Sequence, residues 1–248
     1  MTAEAKPLVI CTTARSGSNL LSDYLNNTGL FGWVAEYFNP KVIRSGWQGR
    51  KFDAGPEVSI AAYVDFLSKT AAGAHGRWGA KLLYEDAEHL IRFPAMQEML
   101  KSGAIVFLRR RAKLSQAISY FLAISTGKWV ATDAGHAAPE DVKFDYAGLG
   151  KTLNMLAWQE ATWTTLFSRL ELDPLEVIYE DLIADPAGTI AAIAAKVGLA
   201  PTEIKIRTNL RQQKSDVNAD FAKRFNAQKW ASMDDARPTQ YGGLTFKA

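Results

Sequence analysis

Short continuous apolar runs alternate along the chain with longer segments whose apolar residues recur at helical spacing. The runs are "PLVICTT" (7–13), "GRWGAKLLY" (76–84), "GAIVFLRR" (103–110) and "LEVIYEDL" (175–182). Unbroken apolar runs of this kind suit parallel strands covered on both faces. The helical segments are 18–29, 59–73, 88–103, 112–127, 151–170 and 185–199. Gly29 suits the end of the first helix and Gly198 the end of the last, where the chain turns left-handed, and Asp185-Pro186 opens the last as a cap with a first-turn proline. Strands alternating with helices predict an α/β fold with a mostly parallel sheet flanked by helices. Residues 127–147 carry little periodicity, and a loop of that length inside a compact domain often carries function. Residues 207–248 are polar with scattered aromatics and predict a partly mobile tail.

Composition narrows the class. The 248 residues are 48% hydrophobic and 22% charged, which is ordinary for a globular protein with a sizeable core, and they predict a single domain. A net charge of +3 is too weak to argue for nucleic acid, although a local arginine cluster can still hold a small anion. The one cysteine, Cys11, excludes a disulfide within the chain. No apolar run is long enough for a membrane span, and "MTAEAKP" lacks an apolar signal core, so a cytoplasmic location is expected.

Candidate chemistry starts where the first strand hands over to the first helix, in "LVICTTARSGSNLL" (8–21). A strand, a polar loop with a glycine and a helix start together offer unpaired backbone N–H groups and the positive end of a helix dipole to an anion. Ser16, Ser18 and Asn19 add side-chain donors, Gly17 allows close approach, and Arg15 supplies a fork that takes two phosphate oxygens. The bland alternative is a helix cap and a surface loop. Position at the carboxyl end of a strand favours phosphate. The G-x-x-x-x-G-K-[ST] pattern of nucleoside triphosphate loops is absent. A second cluster, Arg109, Arg110 and Arg111, follows a later strand, and Ser119 lies about two helical turns beyond Arg111, near the same face. A solvated basic surface would explain one or two of the three arginines. Two phosphate sites without the triphosphate-loop lysine are what 3′-phosphoadenosine 5′-phosphosulfate requires.

At this point the chain resembles the phosphosulfate-dependent sulfotransferases. "TTARSGSNLL" is similar to their 5′-phosphosulfate loop, and "LRRRAKLSQAIS" to their 3′-phosphate motif, an Arg followed eight residues later by a Ser. "TGLFGWVAEYFNP", "GRWGAKLLY", "RRRAKLSQAISY" and "STGKW" resemble bacterial carbohydrate sulfotransferases of the trehalose 2-sulfotransferase type, in order over residues 8–230. The resemblance implies a P-loop-like sulfotransferase fold, the phosphosulfate nucleotide as donor, a sugar or glycolipid hydroxyl as acceptor, no metal, and a homodimer. It implies Glu36, in "AEYFNP", as the general base, set among Trp33, Val34, Tyr37 and Phe38; without the resemblance, Glu36 reads as an exposed loop glutamate. It implies structural roles for Glu180 and Asp181, and a cofactor contact for Arg211 in the tail. Sulfuryl transfer is an in-line displacement governed by positioning and charge neutralisation, and a carboxylate suits removal of the acceptor's proton.

Other residues carry weaker signals. Lys81 suits either a sulfonate oxygen or a solvated strand end. Trp33 and Trp129 could stack on a sugar, whereas Trp158 and Trp163, at helical spacing, predict core. His75, His89 and His136 lack metal-ligand spacing. The chain has "GWVAEYF" and "RRRAK" where its relatives carry a proline before the glutamate segment and an acidic residue after the arginines. These positions lie near the acceptor, so the resemblance implies the donor and leaves trehalose itself open. A catalytically silent nucleotide-binding protein and a nucleotide-dependent kinase are the competing readings.

Overall fold

The structure is a computed structural model that describes residues 7–53, 55, 57–73, 76–129, 135, 137–199, 216–233, 239–241 and 244–246. The chain divides into two compact units. One holds residues 1–113 and 155–211, the other residues 114–154 and 212–248.

The first unit is built on four parallel strands: β1 (Pro7–Thr12), β2 (Trp78–Leu83), β3 (Ala104–Arg109) and β4 (Leu175–Ile178). They lie in the order β2-β1-β3-β4. Strand β1 therefore has β2 on one side and β3 on the other. In an open parallel sheet such a reversal of strand order leaves a crevice at the carboxyl ends of the strands, where ligands bind. Each strand falls within one of the four apolar runs of the sequence, but the second half of the fourth run, 179–182, belongs to a helix over Tyr179–Ala184.

Side-chain alternation sends each strand's residues to two separate cores. Leu8 and Ile10 of β1, Val106 and Leu108 of β3 and Val177 of β4 pack with α1 (Ser18–Thr28) and α9 (Pro186–Lys196). Val9, Cys11, Ala80, Leu82, Ile105 and Phe107 face the other way, onto α3 (Ile60–Thr70), α5 (Pro94–Ser102) and the latter half of α7 (Tyr146–Arg169). Cys11 is fully buried here, and burial pushes its thiol up, away from ionisation. Trp163 of α7 is fully buried, stacks on Phe167 at 5.5 Å and donates its indole N–H to the Thr12 carbonyl at 2.9 Å.

Helix ends follow local chemistry. Gly29 closes α1 at φ 69, as its position in the sequence predicts. Asp185 caps α9 by accepting from the Gly188 N–H at 2.8 Å. The segment 88–103, expected as one helix, is two: α4 (Tyr84–Leu90) and α5. Pro94 explains the break, because it holds Phe93 extended at ψ 129 and is itself suited to a first helical turn. The periodicity also missed α2 (Pro40–Ser45), a single short turn capped by Asn39, which accepts from the Lys41 N–H at 3.0 Å.

The second unit contains most of α6 (Lys113–Thr126), a 3₁₀ turn at Pro139–Asp141, the start of α7, α10 (Asp216–Met233) and a hairpin of β5 (Thr239–Tyr241) with β6 (Leu244–Phe246). The tail, expected to be partly mobile, thus contains an 18-residue helix. Phe221 of α10 packs edge-on to Phe144 at 5.3 Å, Phe225 stacks on Tyr146 at 4.7 Å, and the Arg224 guanidinium sits 4.2 Å over Phe144. Phe221 and Phe225 are two of the tail aromatics that read as scattered in the sequence. Among the described residues no helix is long and apolar enough to cross a membrane.

Trp163→Ala is expected to lower unfolding free energy by about 3–5 kcal/mol, the range for deleting a large buried aromatic. Urea unfolding followed by circular dichroism, with an unchanged slope, checks this.

Candidate functional site

The loop between β1 and α1 turns on two left-handed residues, Arg15 at φ 60 and Gly17 at φ 95. For a non-glycine residue this conformation costs about 1–2 kcal/mol, and such strain collects at functional sites. Gly17 is dictated by its surroundings as well, because a Cβ there would run into the ring of Tyr179. The N-cap residue of α1 is Gly17, which has no side chain to accept from the first-turn N–H groups. Ser16 is fully buried and its Oγ lies 2.6 Å from Thr12 Oγ1, whose hydroxyl reaches the Leu108 carbonyl at 2.7 Å. Ser16 therefore ties the loop to β3 instead of presenting a donor outward. Ser18 is buried as the first residue of α1.

Asn19 reaches across to β2. Its Oδ1 accepts a hydrogen bond from Lys81 Nζ, and the same ammonium pairs with Glu36 Oε1 at 2.7 Å. The Lys81 side chain is only 5% exposed and that of Glu36 is 32% exposed. Glu36 is brought there by backbone pairing: Ala35 bridges Ala80 in parallel, and the Lys81 N–H donates to the Ala35 carbonyl at 2.8 Å. Two sequence candidates on different segments thus meet a third in the nucleotide-type loop. Trp33 lies half-exposed on the segment that carries Glu36, and its carbonyl accepts from the Tyr37 hydroxyl.

The three arginines after β3 have three different fates. Arg109 is bound by Glu160 of α7 at 2.6 Å and by Glu176 of β4, and these partners, against the cost of burial, raise its affinity for a proton. Arg111 is exposed and grips both oxygens of Asp181 at 2.9 Å. Arg110 points the other way. Its guanidinium lies 5.0 Å over the Tyr179 ring, its Nη1 donates to the Arg15 carbonyl at 3.3 Å, and its buried Nε meets no partner among the described residues. Burial pulls both Arg15 and Arg110 below their ordinary affinity for a proton, and the nearby Arg110 charge acts on Arg15 in the same direction. Two half-buried cations set against each other at the carboxyl ends of β1 and β3 are an arrangement that an anion would relieve.

Glu180 holds the turn after β3. It accepts from the Arg111 N–H at 2.9 Å and the Ala112 N–H at 3.0 Å. Burial opposes its ionisation, but these backbone hydrogen bonds outweigh that and keep its carboxyl below the usual range. Asp86, in the first turn of α4, behaves in the opposite way: burial first, then the charges of Glu36 and Glu85, push its carboxyl up to about 7.

The remaining candidates divide by position. Ser119 lies on α6 and Trp129 beyond its end, both in the second unit, where Trp129 packs edge-on to Tyr120 at 5.7 Å. Arg211, His75 and His136 lie outside the described residues. Of the loop 127–147, residues 130–134 and 136 also lie outside them. The pairing of Trp158 with Trp163 as core residues is corrected: Trp158 is 55% exposed and packs edge-on to Tyr84 at 5.3 Å. Sequence reasoning missed Tyr179 and Asp86, and it placed Arg110 in the arginine cluster without singling it out. For Arg110 the signal was available, because strand alternation continues from Val106 and Leu108 onto the face occupied by α1.

The family follows from comparison. The chain belongs to the Stf0 sulphotransferase family, whose model matches residues 7–228. It is a sulfotransferase. A trehalose 2-sulfotransferase of Mycobacterium tuberculosis is 23% identical, with 92% of this chain and 97% of that protein aligned. A trehalose 2-sulfotransferase of Mycolicibacterium smegmatis is also 23% identical, over 84% of this chain and 91% of that protein. Among solved structures, a sulfotransferase from Alicyclobacillus acidocaldarius superposes with a TM-score of 0.49 at 13% identity, covering 91% of this chain and 92% of that one.

The Lys81–Glu36 pair is expected to show in a double-mutant cycle. Lys81→Met and Glu36→Gln should each destabilise, the first by stranding a carboxylate and the second by stranding a buried ammonium. The double variant should lose less than the sum, with a coupling of about 1–3 kcal/mol measured by urea unfolding.

Proposed function

We propose that the chain transfers a sulfuryl group from 3′-phosphoadenosine 5′-phosphosulfate to a hydroxyl of a sugar or glycolipid, with Glu36 as the general base. The observation that carries the reading is the buried Lys81 ammonium, which joins Glu36 to Asn19 of the β1–α1 loop. It sets the residue suited to take a proton next to the loop suited to hold the donor. In the proposed reaction the acceptor oxygen attacks sulfur as the bond from sulfur to the 5′-phosphate oxygen breaks. The acceptor proton goes to Glu36, and 3′-phosphoadenosine 5′-phosphate leaves with the bonding electrons. As Glu36 is neutralised its hold on Lys81 weakens, which releases the ammonium toward the charge developing between sulfur and the leaving phosphate. The N-terminus of α1, Arg15 and Arg110 fit the donor's anionic groups. The uncommitted Nε of Arg110 and the stacked Tyr179 support this assignment. The names of the two mycobacterial relatives support a sugar as acceptor.

Two measurements test the reading. With 3′-phosphoadenosine 5′-phosphate as ligand in calorimetry, Arg110→Ala is expected to weaken binding by about 1.5–3 kcal/mol, as for loss of a charged hydrogen-bond partner. Arg111→Ala should lose less, because Arg111 must first leave Asp181. Equal losses would remove the distinction between the two arginines, and binding of ATP in preference would favour a kinase.

Release of the same product from the donor, in a screen of neutral sugars, tests turnover. Glu36→Gln is expected to lower it by roughly 10²–10⁴, the contribution of a positioned base, while product affinity stays within about threefold. A Glu36→Gln enzyme retaining a third of parental turnover would end the assignment of the base. A parent that binds the nucleotide yet sulfates none of the sugars would favour the silent binder.

A further inference from the structure

We propose that Asn26 is a positioning residue for the transfer step: its side-chain amide grips both backbone groups of Val34 and so fixes Glu36, two residues further on, against Lys81 and the donor loop. This inference rests on the reading of Glu36 as base.

The grip is a paired one. Asn26 Oδ1 accepts from the Val34 N–H at 2.6 Å, and Asn26 Nδ2 donates to the Val34 carbonyl at 3.2 Å. An amide suits this task because it carries an acceptor and a donor side by side. The Val34 side chain shares a core with Leu21 and Leu25 of α1 and is buried. It also lies against Gly79 of β2, where a Cβ would come within 2.5 Å of it. Beyond Val34, Ala35 bridges Ala80 and accepts from the Lys81 N–H. Side chains alternate along an extended segment, so Val34 and Glu36 fall on the same side of Ala35, the side toward α1.

Helix α1 therefore holds the ion pair at both ends. Asn19, near its start, holds the Lys81 ammonium. Asn26 is two turns further along the same helical face, a rise of about 10 Å, and holds the segment that carries the carboxylate. The same helix opens at the loop suited to the donor, so one rigid element sets donor and base relative to each other. Two hydroxyls steady the far side of Glu36: Tyr37 donates to the Trp33 carbonyl, and Tyr63 donates to the Tyr37 carbonyl at 2.7 Å. Neither reaches Val34, whose backbone is left to Asn26. A shift of about 1 Å transmitted from outside the reacting groups is enough to cost as much as ~10²-fold in rate.

The test uses the full chain with the phosphosulfate donor and follows nucleotide release with glucose and trehalose. Asn26→Ala is expected to lower kcat by about tenfold or more for whichever sugar the parent turns over. KM for that sugar and affinity for 3′-phosphoadenosine 5′-phosphate should stay within about threefold. In a Glu36→Gln background the same substitution should lower the residual turnover by less than about threefold, because Asn26 acts through Glu36. Asn26→Asp keeps the shape and the acceptor for the Val34 N–H but sets an oxygen against the Val34 carbonyl. It should lower kcat in the same selective way, and it carries the comparison if urea unfolding shows Asn26→Ala to be unfolded. A kcat within twofold of the parent in a folded variant, or an equal loss with and without Glu36, overturns the role of Asn26 and leaves Glu36 as base intact. A Glu36→Gln enzyme that keeps a third of parental turnover overturns the base and this inference with it, and release with neither sugar alongside normal nucleotide binding does the same.

Discussion

A lysine ammonium that has left water must be matched by negative charge and by hydrogen-bond acceptors, or it is lost as an ammonium. Lys81 is such a group, and the arrangement around it follows from that demand. Its position on β2 puts it on the face shared with α1, whose first turn offers Asn19. The carboxylate comes from further along the chain. The segment after α1 runs beside β2 for one backbone bridge, long enough to set Glu36 against Lys81 and short enough to leave the Glu36 side chain 32% exposed. Removing Lys81 would undo more than one ion pair, because the loop that follows β1 and the segment that carries Glu36 are joined through it.

The arginine run after β3 is governed by the same arithmetic with the opposite sign. Three adjacent guanidiniums cannot all face one site without carboxylates to separate them. Strand alternation sends Arg109 to the α7 side, where Glu160 also binds Lys113, and Glu176 completes the neutralisation. Arg111 is taken up by Asp181 at the surface. Arg110 alone faces the β1–α1 loop, cushioned by an aromatic ring in place of a carboxylate. An arginine held over a tyrosine keeps its donors for a partner, whereas an arginine held by a carboxylate has already spent them. The pair "YE" at the start of α8 (Tyr179–Ala184) therefore does two jobs: Tyr179 orients Arg110, and Glu180 fixes the turn that carries Arg111.

Which parts of this were legible in the sequence depends on the range of the interactions. The four strands and the α/β class were readable because parallel strands are buried on both faces and leave unbroken apolar runs. Gly29 was readable because left-handed backbone at a helix end is a local demand, whereas the need for Gly17 is set by the distant Tyr179 ring. The break at Pro94 and the cap at Asn39 are local too, and a closer reading of the prolines finds both. The helix at 216–233 was obscured because its large apolar residues are set among polar ones: Phe221 and Phe225 sit one turn apart and meet aromatics from distant segments. Trp158 and Trp163 share a helix, yet helical spacing says only that they lie at different angles around it. Which angle faces the sheet is settled by Thr12 and Phe167.

The acidic side of the site was the least legible, for a physical reason. Glu36 stands out in sequence by its aromatic neighbours, but Glu85 and Asp86 look like ordinary first-turn acids, which helices favour for their own dipole. Their local signal therefore argues for solvent. What reverses it is long-range: α7 covers Glu85 with Gln159, and the bridge at Ala35 brings the Glu36 charge to Asp86. A carboxyl group that would cap a helix on a bare surface becomes, under that cover, one whose charge is costly. That cost is a property of the assembled sheet end and of no single segment.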